Sequence, residues 1–169
     1  MQGGKVFKYG DNVNTDVIIP ARYLNDASAE NLRAHAMEDI DPSFSANVRP
    51  GDFVVGGYNF GSGSSREHAP LALKAAGVRA VIAKSFARIF FRNAVNIGLY
   101  IVESAQMADE IANNDTLTIE NGILTDVTTG KSYPLPPMDD YVARILEKGG
   151  LMEAVSYTHL RAHETLRHL

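Results

Sequence analysis

The sequence predicts an α/β domain assembled from parallel βαβ units, and three observations lead to that class. Apolar runs of strand length at Phe53–Gly56, Ala80–Ala83 and Leu99–Val102 alternate with helix-patterned stretches. The Ala80–Ala83 run is apolar at every position, as expected of a strand covered on both faces of its sheet. Gly77 and Gly98 stand where the two intervening helices must close, the C′ position that favours glycine. A chain of 169 residues suits one domain with its own core.

Taken in order, Lys5–Tyr9 alternates polar and apolar residues and reads as a short strand. Gly10–Asp16 is a loop dense in Asx side chains, which form turns first and could also serve a site. Val17-Ile18-Ile19 reads as a short buried strand stopped by Pro20. Ser28 caps a helix through about Met37, with Leu32 and Ala36 on one face, and a second short helix begins near Pro42. His35, on the first of these, reads as a surface or half-buried side chain. Pro50-Gly51-Asp52 turns the chain into the Phe53–Gly56 strand. A helix from Arg66 to Ala76 places Leu71, Ala72 and Ala75 at helical spacing. Ser85 caps the next helix, Phe86–Asn96, where Phe90 and Phe91 set the inward side. Lys84, Arg88 and Arg92 form either a solvated basic face or part of an anion site.

Ser104 caps a helix to Asn113. Thr116–Glu120, Asn121-Gly122 and Ile123–Val127 then spell a hairpin with a type I′ turn. A third strand, Lys131–Leu135, returns after Thr129-Gly130, prolines end the sheet, and Met138–Lys148 is the last helix. The domain is expected to span residues 1–155. Ser156–Leu169 carries three of the five histidines without the preceding hydrophobic pattern, and reads as a non-native or disordered tail rather than a metal site.

The chemistry is concentrated in Asn59-Phe60-Gly61-Ser62-Gly63-Ser64-Ser65-Arg66-Glu67-His68-Ala69-Pro70, between a strand and a helix. Glycines allow tight turning and close approach to a ligand, and unpaired N–H groups of a first helical turn attract anions. Arg66 adds a planar fork matched to a carboxylate or phosphate, and Ser64 and Ser65 add hydroxyls. Residue chemistry alone leaves two readings, a cap with its turn or an anion site. Both nucleotide fingerprints fail, because no Lys follows and Gly61-x-Gly63 does not continue to a third glycine.

That string resembles the signature of the aconitase superfamily's swivel domain, and more narrowly the small-subunit family of 3-isopropylmalate dehydratase. Gly10-Asp-Asn-Val-Asn-Thr-Asp-Val-Ile-Ile-Pro-Ala-Arg-Tyr-Leu24 and Ile82-Ala-Lys-Ser-Phe-Ala-Arg-Ile-Phe-Phe-Arg-Asn93 resemble the same family. The resemblance implies a three-layer β/β/α swivelling domain that closes over a large subunit carrying a 4Fe-4S cluster. It implies isomerisation of 2-isopropylmalate to 3-isopropylmalate through 2-isopropylmaleate, in leucine biosynthesis. By motif match Ser64 is the catalytic base, and Gly63, Ser65 and Arg66 bind substrate. Arg22, Tyr23 and Leu24 lie in the loop that faces the substrate's variable group, and Asn59, Gly61, Ser62, Glu67 and His68 support the site. Ser62 stands where many relatives carry Cys, and Asn25-Asp26 are less matched to an isopropyl group than an aliphatic loop. Alternatives are a related hydro-lyase of the methylmalate/citraconate, dimethylmalate or homoaconitate type, or a non-catalytic anion-binding module.

Composition narrows the rest. The absence of cysteine excludes disulfides, thiolate metal sites and cysteine nucleophiles, so any iron–sulfur cluster must take its thiolates from a partner. No metal or cofactor is expected on this chain. A net charge of −4 gives no reason to expect nucleic acid or an anionic membrane as partner. Without a long apolar run or a signal-like start, the expected location is cytoplasmic.

Overall fold

The computed structural model describes residues 3–135. Seven strands form one sheet in the order β4-β3-β2-β1-β5-β6-β7. They are β1 (Gly4–Lys8), β2 (Phe53–Gly56), β3 (Ala80–Ala83), β4 (Tyr100–Glu103), β5 (Thr116–Glu120), β6 (Ile123–Asp126) and β7 (Lys131–Pro134). β1 to β4 pair in parallel, and β1 turns its other edge to β5 in antiparallel register, Gly4 opposite Leu117. The helices are α1 (Thr15–Ile18), α2 (Ala29–His35), α3 (Phe44–Asn47), α4 (His68–Ala75), α5 (Arg88–Ile97) and α6 (Ala105–Glu110), with a 3-10 turn at Ala21–Tyr23.

Strand periodicity divides the core in two. Val54, Val81 and Phe7 face one side and pack with Ile18, Leu32, Phe44, Leu73 and Phe90 of the helices α1 to α5. Val6, Phe53, Val55 and Ile82 face the other side. There they meet Met107 and Ile111 at α6 and Leu117, Ile119, Leu124 and Tyr133 of the hairpin strands. The sheet curls over itself, giving the expected β/β/α layering. Asn121 and Gly122, with φ of 52° and 76°, form the left-handed turn that the hairpin needs.

Several expectations are corrected. Residues 17–19 do not form a strand, since Asn14 Oδ1 accepts the Val17 N–H at 2.9 Å and starts α1. Side-chain capping outweighs β-branched preference there, while Ile18 and Ile19 stay fully buried. α4 begins at His68 rather than Arg66, and its inward face is Ala69, Ala72, Leu73 and Ala76. Ser85 does not cap α5. Its hydroxyl accepts the Asn59 N–H at 2.8 Å, and residues 85–87 pair with Phe60 before the helix starts at Arg88. Phe90 is buried but Phe91 is 41% exposed. α6 stops at Glu110, and β4 starts one residue later than expected. The expected helix at Met138–Lys148 and the tail from Ser156 lie outside the described residues.

Candidate functional site

Three loops meet beyond the carboxyl ends of β1, β2 and β3, the place where parallel α/β sheets present ligand-binding groups. Their backbones are tied together. Gly57 N–H donates to Gly10 O at 3.0 Å, Asn12 N–H to Tyr58 O at 2.8 Å, and Gly61 N–H to Val13 O at 2.7 Å. The 84–87 loop joins through Lys84 N–H to Gly57 O at 2.9 Å. Asp11 is a turn former here, its Oδ1 accepting the Tyr58 N–H at 2.8 Å.

The 61–66 loop owes its path to two left-handed glycines, Gly61 (φ 82°) and Gly63 (φ 104°). Gly61 presses on the buried Phe90 ring of α5, leaving no room for a side chain. Asn59 is itself left-handed (φ 62°), and its Nδ2 donates to Asn12 Oδ1 at 3.2 Å. Ser62 contributes its carbonyl, which accepts the Thr15 N–H at 2.8 Å. Asn93 Nδ2 holds the Ser65 carbonyl at 3.2 Å.

Ser64 and Ser65 are exposed. Ser64 Oγ lies 3.2 Å from the hydroxyl of Thr15, a residue only 2% exposed and so held firmly. Arg66 Nη1 donates to Asp16 Oδ1 at 2.7 Å and to the Ile19 carbonyl at 3.2 Å. Among the described residues no hydrogen bond engages its Nη2 or Nε, so one edge of the guanidinium is anchored and the other makes no hydrogen bond, in a side chain that is 19% exposed. The α1 turn thus supplies a partner to both the hydroxyl and the guanidinium.

Other expected site residues sit differently. Arg22 is directed to Glu38 and Asp39, and the Tyr23 hydroxyl donates to Glu38. Leu24 is half-buried at the end of the 3-10 turn. Glu67 occupies the N-cap of α4 without a capping bond, and His68 opens the helix. Among the described residues no side-chain hydrogen bond supports a loop-holding role for either. Lys84 leaves the basic cluster, pairing with Asp109 at 2.8 Å, while Arg88 and Arg92 are exposed on α5. Sequence patterning gives Thr15 and Asn93 no role of their own and offers Asp16 only as one of the Asx side chains of the Gly10–Asp16 loop, although Thr15 and Asp16 fall within the Gly10–Leu24 string and Asn93 closes the Ile82–Asn93 string.

No thiolate is available anywhere in the chain, and no trio of His, Asp or Glu among the described residues is grouped to hold a metal ion. The donor set does not fit an iron–sulfur cluster.

Residues 22–107 match the family model described as the aconitase C-terminal domain. The chain is 57% identical over 151 residues to the 3-isopropylmalate dehydratase small subunit of Nautilia profundicola, covering 88% of this chain and 90% of that protein. It is 51% identical over 161 residues to small subunit 1 of Archaeoglobus fulgidus, covering 94% and 99% respectively. A crystal structure of 3-isopropylmalate dehydratase from Methanocaldococcus jannaschii superposes with a TM-score of 0.85 at 40% identity, covering 94% of this chain and 95% of that one.

Proposed function

The chain belongs to the small-subunit family of 3-isopropylmalate dehydratase, and from that premise we propose that its 61–66 loop and α1 turn form half of an active site that a large subunit completes. The family's reaction is a hydro-lyase isomerisation of 2-isopropylmalate to 3-isopropylmalate, a step of leucine biosynthesis. A cytoplasmic location accords with that role. Among the described residues no helix is long and apolar enough to cross a membrane.

The reading is carried by one observation. The same one-turn helix gives Thr15 to Ser64 and Asp16 to Arg66, holding a hydroxyl and a half-free guanidinium at the open end of the sheet. In this proposal Ser64 Oγ takes the proton from the carbon beside the hydroxyl-bearing one while the hydroxyl departs as hydroxide, leaving 2-isopropylmaleate. Hydroxide then adds to the carbon that lost the proton, and Ser64 returns its proton to the carbon that lost the hydroxyl. A serine hydroxyl becomes a base only where its anion is stabilised. Thr15 Oγ1–H and the positive charge of Arg66 supply that stabilisation, reinforced when a partner excludes water. Ser64 stands exposed in this chain alone, which fits activity only in the assembled enzyme. Arg66 receives a substrate carboxylate on its free edge, with the Ser65 hydroxyl and the backbone at Gly63 beside it. Arg22, Tyr23 and Leu24 bound the space for the variable group. A 4Fe-4S cluster, held by the large subunit's own ligands, would supply Lewis-acid chemistry.

Reconstituting the Ser64→Ala chain with the large subunit tests the assignment. Turnover of 2-isopropylmalate should fall by about 10²–10⁴-fold with the fold intact. Unchanged turnover would remove Ser64 from the role of base.

A further inference from the structure

Behind the 3-10 turn the backbone does something unusual. Met37, completely buried and neither Gly nor Asn, adopts a left-handed φ of 60° directly after α2. Its N–H donates to Ile18 O at 2.8 Å, and its carbonyl accepts from Ile40 and Asp41. The tight turn so formed brings Glu38 and Asp39 back across Ala21–Tyr23.

Glu38 is the hub of the cluster that results. Its Oε2 accepts from the Tyr23 hydroxyl and from Arg22 Nη2 at 3.0 Å, and its Oε1 faces His35 Nδ1 at 2.9 Å. The Tyr23 hydrogen bond, then the His35 one, hold its carboxyl down at about 2. Asp39 takes the Arg22 fork through two contacts, 2.6 and 3.2 Å. The His35 ring lies flat on Tyr23, 3.7 Å between centroids, and the Arg22 guanidinium sits 4.8 Å from the same ring. An isolated exposed ion pair would hold little, but a bidentate pair within a shared network restricts each member. At its other end the same segment is fastened to the site, since Arg66 grips the Ile19 carbonyl just before Pro20.

We infer that Glu38, aimed by the left-handed Met37, is a positioning residue that fixes Arg22, Tyr23 and Leu24 as a rigid wall beside the anion site and so sets which substituent of a 2-hydroxy diacid fits. The inference rests on the function proposed above. Glu38 itself touches no substrate and acts through Tyr23 and Arg22.

The test compares 2-isopropylmalate with 2-methylmalate, using the full chain reconstituted with its large subunit. Loosening the wall in Glu38→Ala should raise KM for the isopropyl substrate about tenfold while kcat stays within about twofold. KM for the methyl substrate should move by less than about threefold, so selectivity falls. Glu38→Gln, which keeps an acceptor for Tyr23, should recover most of the loss. Independently of activity, tryptic cleavage after Arg22 in the full chain should quicken about tenfold in Glu38→Ala. Unchanged selectivity, equal loss of kcat on both substrates, or an unchanged cleavage rate would each overturn the inference. A wild type with no preference for the isopropyl substrate would sink the proposed function instead, and the cleavage rate would still judge the clamp.

Discussion

Replacing Gly61 by alanine should damage the fold and the site together. A methyl group there would lie 2.2 Å from Cγ and 2.4 Å from Cβ of Phe90. Ordinary carbon contacts need about 3.5–4 Å, so more than about 1 Å must be found. Phe90 cannot yield it cheaply, being 3% exposed and packed against Phe60 and Phe86 with ring centroids 5.5 and 6.1 Å away. The left-handed φ of 82° adds about 1–2 kcal/mol for any residue with a Cβ. Overpacking adds about 1–3 kcal/mol, for a total near 2–5 kcal/mol. In a chain of this size that corresponds to a fall in Tm of about 5–15 °C. Thermal unfolding of the isolated chain measures it. The surviving folded fraction, reconstituted, should have turnover reduced by about 10²-fold, because a displacement near 1 Å carries through the loop to Ser64. A Tm within about 2 °C of wild type, with full turnover, would refute the reasoning.

Three further outcomes are expected. Asp126 is completely buried, and its Oδ2 finds no hydrogen-bond partner among the described residues; burial, then the neighbouring Asp115 carboxyl, pushes its pKa up to about 6. Because that value exceeds the unfolded one, its stability contribution is complete below about pH 4 and lost as pH rises through about 6. Asp126→Asn should therefore gain on wild type as pH rises, by about 1–3 kcal/mol at pH 8, and a gap independent of pH in parallel denaturant melts would contradict this. Arg66→Lys should raise KM about tenfold or more, since a point charge cannot hold both Asp16 and a substrate carboxylate in plane; steady-state kinetics with an unchanged KM would count against that contact. Thr15→Val should cut kcat about tenfold at nearly constant KM by removing the Ser64 partner, and an unaltered kcat would assign Thr15 to packing alone.

Much of this architecture is written locally. Ala80–Ala83 is a strand over the expected residues because nothing but a doubly covered position suits four apolar side chains in a row. Ser28 and Ser104 cap their helices as their side chains prescribe. Local signals fail where a distant partner decides. Ser85 has the chemistry of a cap, yet Asn59, 26 residues earlier, takes its hydroxyl. Leu71 and Leu73 flank Ala72, and packing across α4 buries Leu73 completely while Leu71 stays half-buried against the edge of the same core. The site divides the same way. Ser64 and Arg66 stand out within their loop, but their partners Thr15 and Asp16 lie 49 and 50 residues away and reach them only once β1 and β2 are side by side.

The position of β1 also bears on how the polypeptide matures. The first of the described strands occupies an interior place in the sheet, and its flanks are filled by segments beginning at residues 53 and 116. The strand pairings between 53 and 103 span far fewer residues and can organise while translation continues, whereas the seam with Thr116 and Leu117 closes over more than a hundred residues. Until then the apolar underside formed by Val6, Phe53, Val55 and Ile82 has no hairpin to shelter it. A nascent chain halted before residue 116 would be a natural client for chaperones.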